Sequence, residues 1–247
     1  MHRFFLPPPQ CQGQTLVLTG AEAHHATAVL RLKISDPIVV LDGAGREFSC
    51  IIRAADRKTV TASVEQTQSS PAPSCRVTLV QAIPKGKLIE TIIQKATELG
   101  VFRIVPLLSE RVTTRLENDA IENKAEKWRQ TAIEAIKQCG QRWLPQVEAP
   151  LTLPALLARR ENFDLSLVGS LRDDARHPRV YFKSEKPSTI CLWIGPEGDF
   201  TDLELTAIQS AGARPITFGP LVLRSDTAAL YALSIVSYEL QYYEHNK

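Results

Sequence analysis

The stretch Thr189-Ile190-Cys191-Leu192-Trp193-Ile194-Gly195-Pro196-Glu197-Gly198-Asp199-Phe200-Thr201-Asp202-Leu203-Glu204 decides the class of the fold. Its apolar opening predicts a buried strand. Thr201, with Glu204 three residues on, has the spacing of a capping box and predicts a helix start. The loop between them stands at a strand's carboxyl end, the edge of an open α/β sheet where ligands bind. Gly195 and Gly198 carry no Cβ that would hold a ligand off the main chain.

A second loop of this kind follows one helix later, where Pro215-Ile216-Thr217-Phe218 runs into Gly219-Pro220-Leu221-Val222-Leu223-Arg224-Ser225-Asp226-Thr227-Ala228. Consecutive strands usually neighbour each other, so the two glycine loops are expected side by side, forming one pocket. Neither has the Lys-Ser/Thr of a P-loop or the full G-x-G-x-x-G of a dinucleotide fold. The expected ligand is therefore not held by its phosphates.

Working outward, Val77–Ala82 reads as a strand, and Leu88, Ile89, Ile92, Ile93, Ala96 and Leu99 form one face of a helix that Gly100 stops. Val101–Leu108 is the next strand, Ala120–Cys139 a longer helix and Phe163–Gly169 a third strand. Such alternation predicts a largely parallel sheet flanked by helices. From Asp226 to Tyr243 the pattern is apolar around much of a helix: core under the sheet, or core and part of a dimer interface.

The beginning of the chain is different. Leu16–Leu18, Pro37–Leu41, Glu47–Ile52 and Val60–Val64 are short β-like runs, with Asp42-Gly43 as a hairpin signal and one short helix in Ala21–Leu32. This predicts a small barrel over residues 1–70. The polar, proline-bearing Gln66–Ser74 reads as a linker, and the larger domain spans residues 74–247.

A hydrophobic fraction of 44% and a charged fraction of 23% are those of a globular protein, and no apolar run reaches membrane-spanning length. The first residues have neither the apolar core nor the cleavage site of a secretory leader, so the cytoplasm is expected. Cys11, Cys50, Cys75, Cys139 and Cys191 lack the spacing of a zinc or redox motif and read as reduced, structural thiols. His24 and His25 are adjacent on a helix and cannot share one face, so no metal is expected there. A net charge of +2 does not itself imply nucleic acid.

The chain resembles the bacterial RsmE family of the SPOUT superfamily, which methylates N3 of a uridine in small-subunit (16S) ribosomal RNA. The resemblance rests on Arg3-Phe4-Phe5, His24-His25 through Val29-Leu30-Arg31, Lys95–Val101 and Ser109-Glu110-Arg111. It rests also on Trp128 with Glu134-Ala135 and Gln138, on Ile194–Phe200 and on Leu223–Ala228. The family's usual Gly-Pro-Glu-Gly-Gly ends here in Asp199, and its Arg-x-Glu-Thr-Ala has Asp226 for Glu. The resemblance implies a PUA-like small β-barrel domain and a SPOUT-type α/β domain with a C-terminal trefoil knot. It further implies a homodimer, S-adenosylmethionine as methyl donor, and small-subunit ribosomal RNA or the 30S subunit as substrate. It assigns the donor to Gly169 and Ser170, to Ile194, Gly195, Pro196 and Gly198, and to Phe218, Gly219, Leu221 and Leu223, with Ala228 beside them.

For transfer to uracil N3, a cation near the uracil oxygens stabilises the forming anion, and Arg224 is the first candidate; its alternative is a salt bridge holding the loop. Asp226 accepts the proton or caps the last helix. Glu197 orients Arg224 or meets the target base. Arg3, Arg31, Lys85, Lys87, Arg111, Arg115 and Arg142 are the candidate phosphate contacts, with Phe4 or Phe5 as stacking rings. Two rival readings are a non-catalytic RNA-binding module and a methyltransferase acting on ribose 2′-O or on transfer RNA.

Overall fold

The computed structural model of the chain describes residues 1–111, 118–182 and 186–245. They form two units, Met1–Ala72 with Ile133–Leu144 and Pro73–Ala132 with Pro145–Lys247.

In the first unit, β1 (His2–Phe5), β2 (Thr15–Thr19), β3 (Pro37–Leu41), β4 (Arg46–Ala55) and β5 (Thr59–Ser69) make one sheet in the order β1-β3-β4-β5-β2. Alternating residues Leu16 and Leu18, Ile38 and Val40, and Phe48, Cys50 and Ile52 fill its core around Phe4. The expected hairpin joins β3 to β4: buried Asp42 accepts the N–H groups of Ala44 at 2.8 Å and Arg46 at 2.9 Å, tightening the turn. Gln66–Ser69, expected as linker, instead continues β5 and pairs with Arg46–Ser49. Their polar side chains are solvated while the backbone ladder carries the strand, which composition does not report. The short helix is α1 (Gly20–His24), running into a π-helical turn at His25–Val29.

Residues 133–144 were assigned by sequence pattern to the larger domain; in the structure they pack in the first unit. Arg3 donates to the backbone carbonyls of Lys137 at 3.3 Å and Gln138 at 3.1 Å, and Lys137 Nζ bonds Glu22 at 2.8 Å and Glu134 at 3.0 Å. Burial opposes the charge of Lys137, but the two carboxylates outweigh it and hold the ammonium above its ordinary pKa. Trp143 Nε1 donates to the Pro71 carbonyl at 2.9 Å, and its ring would stand 2.6 Å from a Cβ at Gly45.

The second unit is a parallel sheet in the order β12-β10-β11-β6-β7-β8, with β9 also pairing β7. Its strands are β6 (Arg76–Ala82), β7 (Arg103–Leu108), β8 (Gln146–Val147), β9 (Leu151–Thr152), β10 (Leu165–Gly169), β11 (Thr189–Ile194) and β12 (Arg214–Ile216). The helices are α2 (Leu88–Glu98), α3 (Asn118–Cys139), α4 (Leu153–Leu157), α5 (Asp202–Ser210) and α6 (Ser225–His245). Val80, Val105, Val168 and Trp193 meet Leu156, Leu205 and Ile208 on one face. Helix α6 packs on α2 and β11.

One expectation is corrected. β11 and β12 are not neighbours; β10 lies between them. Pro215 explains why β12 stands at the edge, since proline cannot donate to a ladder on both sides, whereas β10, with Leu165, Leu167 and Val168 buried, belongs inside.

Candidate active site

Because β10 separates β11 from β12, the cleft in the second unit is built from three strand tips rather than two. β10 contributes Gly169, Ser170 and Leu171; β11 contributes Ile194, Gly195, Pro196, Glu197 and Asp199. From beyond β12 come Thr217, Phe218, Gly219 and Leu221–Leu223, and from α6 Ser225 and Ala228. Every residue expected to hold the donor lines this cleft except Gly198, whose carbonyl accepts from Arg111 instead.

The glycines serve the loops' own folding. A Cβ at Gly195 would lie 3.0 Å from Asp199 Oδ1 and 3.2 Å from the Phe200 nitrogen, so a side chain there would crowd the loop where it closes on itself. Gly219 has φ +110°, a backbone state that side chains rarely adopt. Asp199, at φ 60°, occupies the left-handed region where aspartate is among the tolerated residues. Its Oδ1 accepts the Phe200 N–H at 2.7 Å. Burial raises the Asp199 pKa, against the lowering effects of that bond and of Arg111 and Arg172. The sequence reading missed Asp199 as a lining residue; its place in a glycine-rich strand-tip loop was the available signal.

The loop is braced from the neighbouring strand tips. The capping box expected at Thr201 and Glu204 is present: Glu204 Oε2 accepts the Thr201 N–H at 2.9 Å, and Thr201 Oγ1 accepts the Glu204 N–H at 3.2 Å. Glu204 also accepts the Glu110 N–H at 2.9 Å, joining the end of β7 to this loop. Glu197 Oε1 accepts the Lys85 N–H at 3.0 Å, fastening the turn after β6.

Arg224 stands between the lining residues Leu223 and Ser225, exposed, and makes no ion pair among the described residues. Asp226 lies in the first turn of α6, and its Oδ1 is buried without a hydrogen-bond partner among the described residues. Of the candidate phosphate contacts, Arg31, Lys85 and Lys87 are exposed. Arg3 is occupied at the carbonyls of residues 137 and 138, and Arg142 by Ser70, Gln68 and Glu47. Arg111 is committed to Gly198, and Arg115 lies outside the described residues. Phe4 is core and edge-on to His25, with ring centroids 6.1 Å apart. No group of three or more metal-ligating side chains occurs among the described residues.

Comparison with known proteins agrees with this architecture. The RNA methyltransferase domain family matches residues 70–237, and the RNA methyltransferase PUA domain family matches residues 18–65. The Bacillus subtilis ribosomal RNA small subunit methyltransferase E is 30% identical over 98% of both chains. The Synechocystis protein of the same name is 34% identical over 96% of this chain and 77% of its own. The crystal structure of the Neisseria gonorrhoeae ribosomal RNA small subunit methyltransferase E bound to S-adenosyl methionine superposes with a TM-score of 0.84. It is 26% identical and covers 96% of this chain and 97% of its own. A Legionella pneumophila structure in complex with the bound cofactor SAM gives 0.87 at 30% identity, covering 96% of each chain. On the match of the domain family to most of the chain and of these relatives to nearly all of it, the protein belongs to the ribosomal RNA small subunit methyltransferase E family.

Proposed function

We propose that this protein transfers a methyl group from S-adenosylmethionine to N3 of a uridine in small-subunit ribosomal RNA, with the strand-tip cleft as the donor seat. The observation that carries the reading is the convergence of the tips of β10, β11 and β12 on one cleft with Arg224 at its margin. The donor set fits the ligand. Glu197 and Asp199 offer carboxylates to a cationic sulfonium and ammonium, and Ile194, Phe218, Leu221 and Leu223 offer apolar surface to an adenine.

When bound, the donor supplies an electrophilic methyl whose bond to sulfur breaks as the bond to N3 forms. The chain supplies position and electrostatics. Arg224 stabilises negative charge on the uracil oxygens as the N3 proton leaves. Asp226 receives that proton; its carboxylate oxygen, buried without a partner among the described residues, supports this reading. Glu197 orders the entrance through Lys85. Arg31, Lys85 and Lys87, which are exposed, hold phosphates.

The first unit serves as a PUA-like barrel for RNA, and the second carries a trefoil knot. The passage of the chain from β11 past β10 to β12, followed by the return of α6 onto β11, supports the knot. The protein acts in the cytoplasm as a homodimer. Val222 and Tyr238 support this, being 76% and 72% exposed at the loop and helix that partner contact would cover. Calorimetric titration with S-adenosylmethionine tests the donor seat: saturable binding is expected, and absence of binding leaves the RNA-binding module as the better reading.

A further inference from the structure

Gln81 is a polar residue in the buried part of β6, where its companions are apolar residues and Thr78, and it is 0% exposed. A buried amide costs least when its polar atoms are partnered; here both hydrogens are placed, while Oε1 is buried with no partner among the described residues. Nε2 donates to the Ala82 carbonyl at 2.9 Å and to Ser225 Oγ at 2.9 Å. Ser225, itself 5% exposed, donates its hydroxyl hydrogen bond to the Gly195 carbonyl at 2.6 Å. The direction of this chain is fixed at both ends, because Ala82 and Gly195 present carbonyls and neither has a proton to return. A hydroxyl that accepts from an amide is also a stronger donor.

The relay joins two parts of the site. Gly195 belongs to the loop after β11, and its peptide to Pro196 has the carbonyl as its only hydrogen-bonding group, since proline has no N–H. Ser225 opens α6 and lies between Arg224 and Asp226. Resting on the reading of this cleft as the methyl-donor seat, we infer that Gln81 and Ser225 are positioning residues whose directed hydrogen-bond relay fixes the donor loop against Arg224 and Asp226. Neither residue touches the reacting atoms in this account. They set the separation between the transferred methyl and the groups that act on the uracil, and a misplacement of about 1 Å in such an arrangement is worth about a hundredfold in rate.

The test uses Ser225→Ala, which removes the relay's proton, Gln81→Glu, which keeps the shape but replaces the amide donor by an acceptor, and Ser225→Thr, which keeps a hydroxyl. Turnover at saturating S-adenosylmethionine, donor affinity by calorimetry and amide hydrogen exchange over residues 197–200 are measured for each. The expected result is a fall in kcat of at least about tenfold for Ser225→Ala and for Gln81→Glu. Donor affinity stays within about threefold, exchange over 197–200 quickens, and most of the loss is recovered in Ser225→Thr. The double variant Ser225→Ala with Gln81→Glu should be no worse than the poorer single, as for members of one unit. Full turnover in either single variant, additive losses, or a loss of donor affinity equal to the loss of kcat would overturn the relay. Wild-type protein that failed to methylate would count against the proposed function instead. The relay would then stand or fall on exchange alone, which quickens in the two disrupting variants if it is right and is unchanged if it is wrong.

Discussion

Glu204 Oε1 accepts the backbone N–H of Glu110 at 2.9 Å, so a carboxylate in the first turn of α5 reaches across to the end of β7. The same carboxylate takes the Thr201 N–H at 2.9 Å and the Ser109 hydroxyl at 3.4 Å, and its side chain is buried. Removing it strands two backbone donors at once. Glu204→Ala should therefore destabilise the protein by about 2–3 kcal/mol, measured by denaturant unfolding, and should loosen the loop at 195–200. A change below about 0.5 kcal/mol, the range of ordinary surface substitutions, would show that this brace is not structural.

Arg224 is exposed beside the cleft, with no carboxylate partner among the described residues. Arg224→Ala should lower turnover by about a hundredfold or more, the scale of a lost oxyanion contact, while calorimetry shows donor affinity nearly intact. Unaltered turnover would remove it from the chemistry.

Asp199 gives the cleft a pH dependence. Its folded pKa is raised, chiefly by burial, so the folded protein still holds this proton at pH values where the unfolded chain has released it. Stability from this group is accordingly present below the ordinary carboxylate pKa and is lost as pH rises through the raised value. A cationic donor prefers the ionised form, so its affinity should climb over that same window. Asn tolerates the left-handed backbone as Asp does, and Asp199→Asn should flatten this part of the titration. An identical pH profile in the variant would dismiss the carboxylate from donor recognition.

Arg103 lies away from the cleft and tests the sheet itself. Its Nε meets Glu148 Oε1 at 2.6 Å, and its terminal nitrogens meet Glu161 at 2.5 and 2.8 Å. The Arg103 hydrogen bonds hold Glu161 below its ordinary pKa, despite some burial. That contribution is present above the ordinary carboxylate pKa and is lost as pH falls through the depressed value. Arg103→Ala should cost about 1–3 kcal/mol at neutral pH, because Glu148 and Glu161 then keep only Arg159 as a charged partner among the described residues, and the deficit should shrink in acid as Glu161 protonates. A deficit constant with pH would point to packing instead.

Much of this architecture was legible in the chain because the relevant signals are local. The capping box at Thr201 and Glu204, the apolar face of α2 and the Asp42 turn each act within one or two turns of backbone. What escaped depends on distant partners. The rule that consecutive strands adjoin placed β12 beside β11, although Pro215 already marked an edge strand. The continuation of β5 through Gln66–Ser69 is a backbone pairing that polar composition hides. Residues 133–144 join the first unit through Arg3, Lys137 and Trp143, whose partners are remote in sequence. At the cleft, glycines could be read as open backbone, but Ser225 and the buried Gln81 became visible only once the strand tips were brought together.

The most direct test of the account is nucleoside mass analysis of small-subunit ribosomal RNA, as naked RNA and as assembled subunits, after incubation with the protein and isotopically labelled S-adenosylmethionine. The account predicts label in 3-methyluridine at a single position. Label in a 2′-O-methylated ribose, or no label in either substrate, would contradict it.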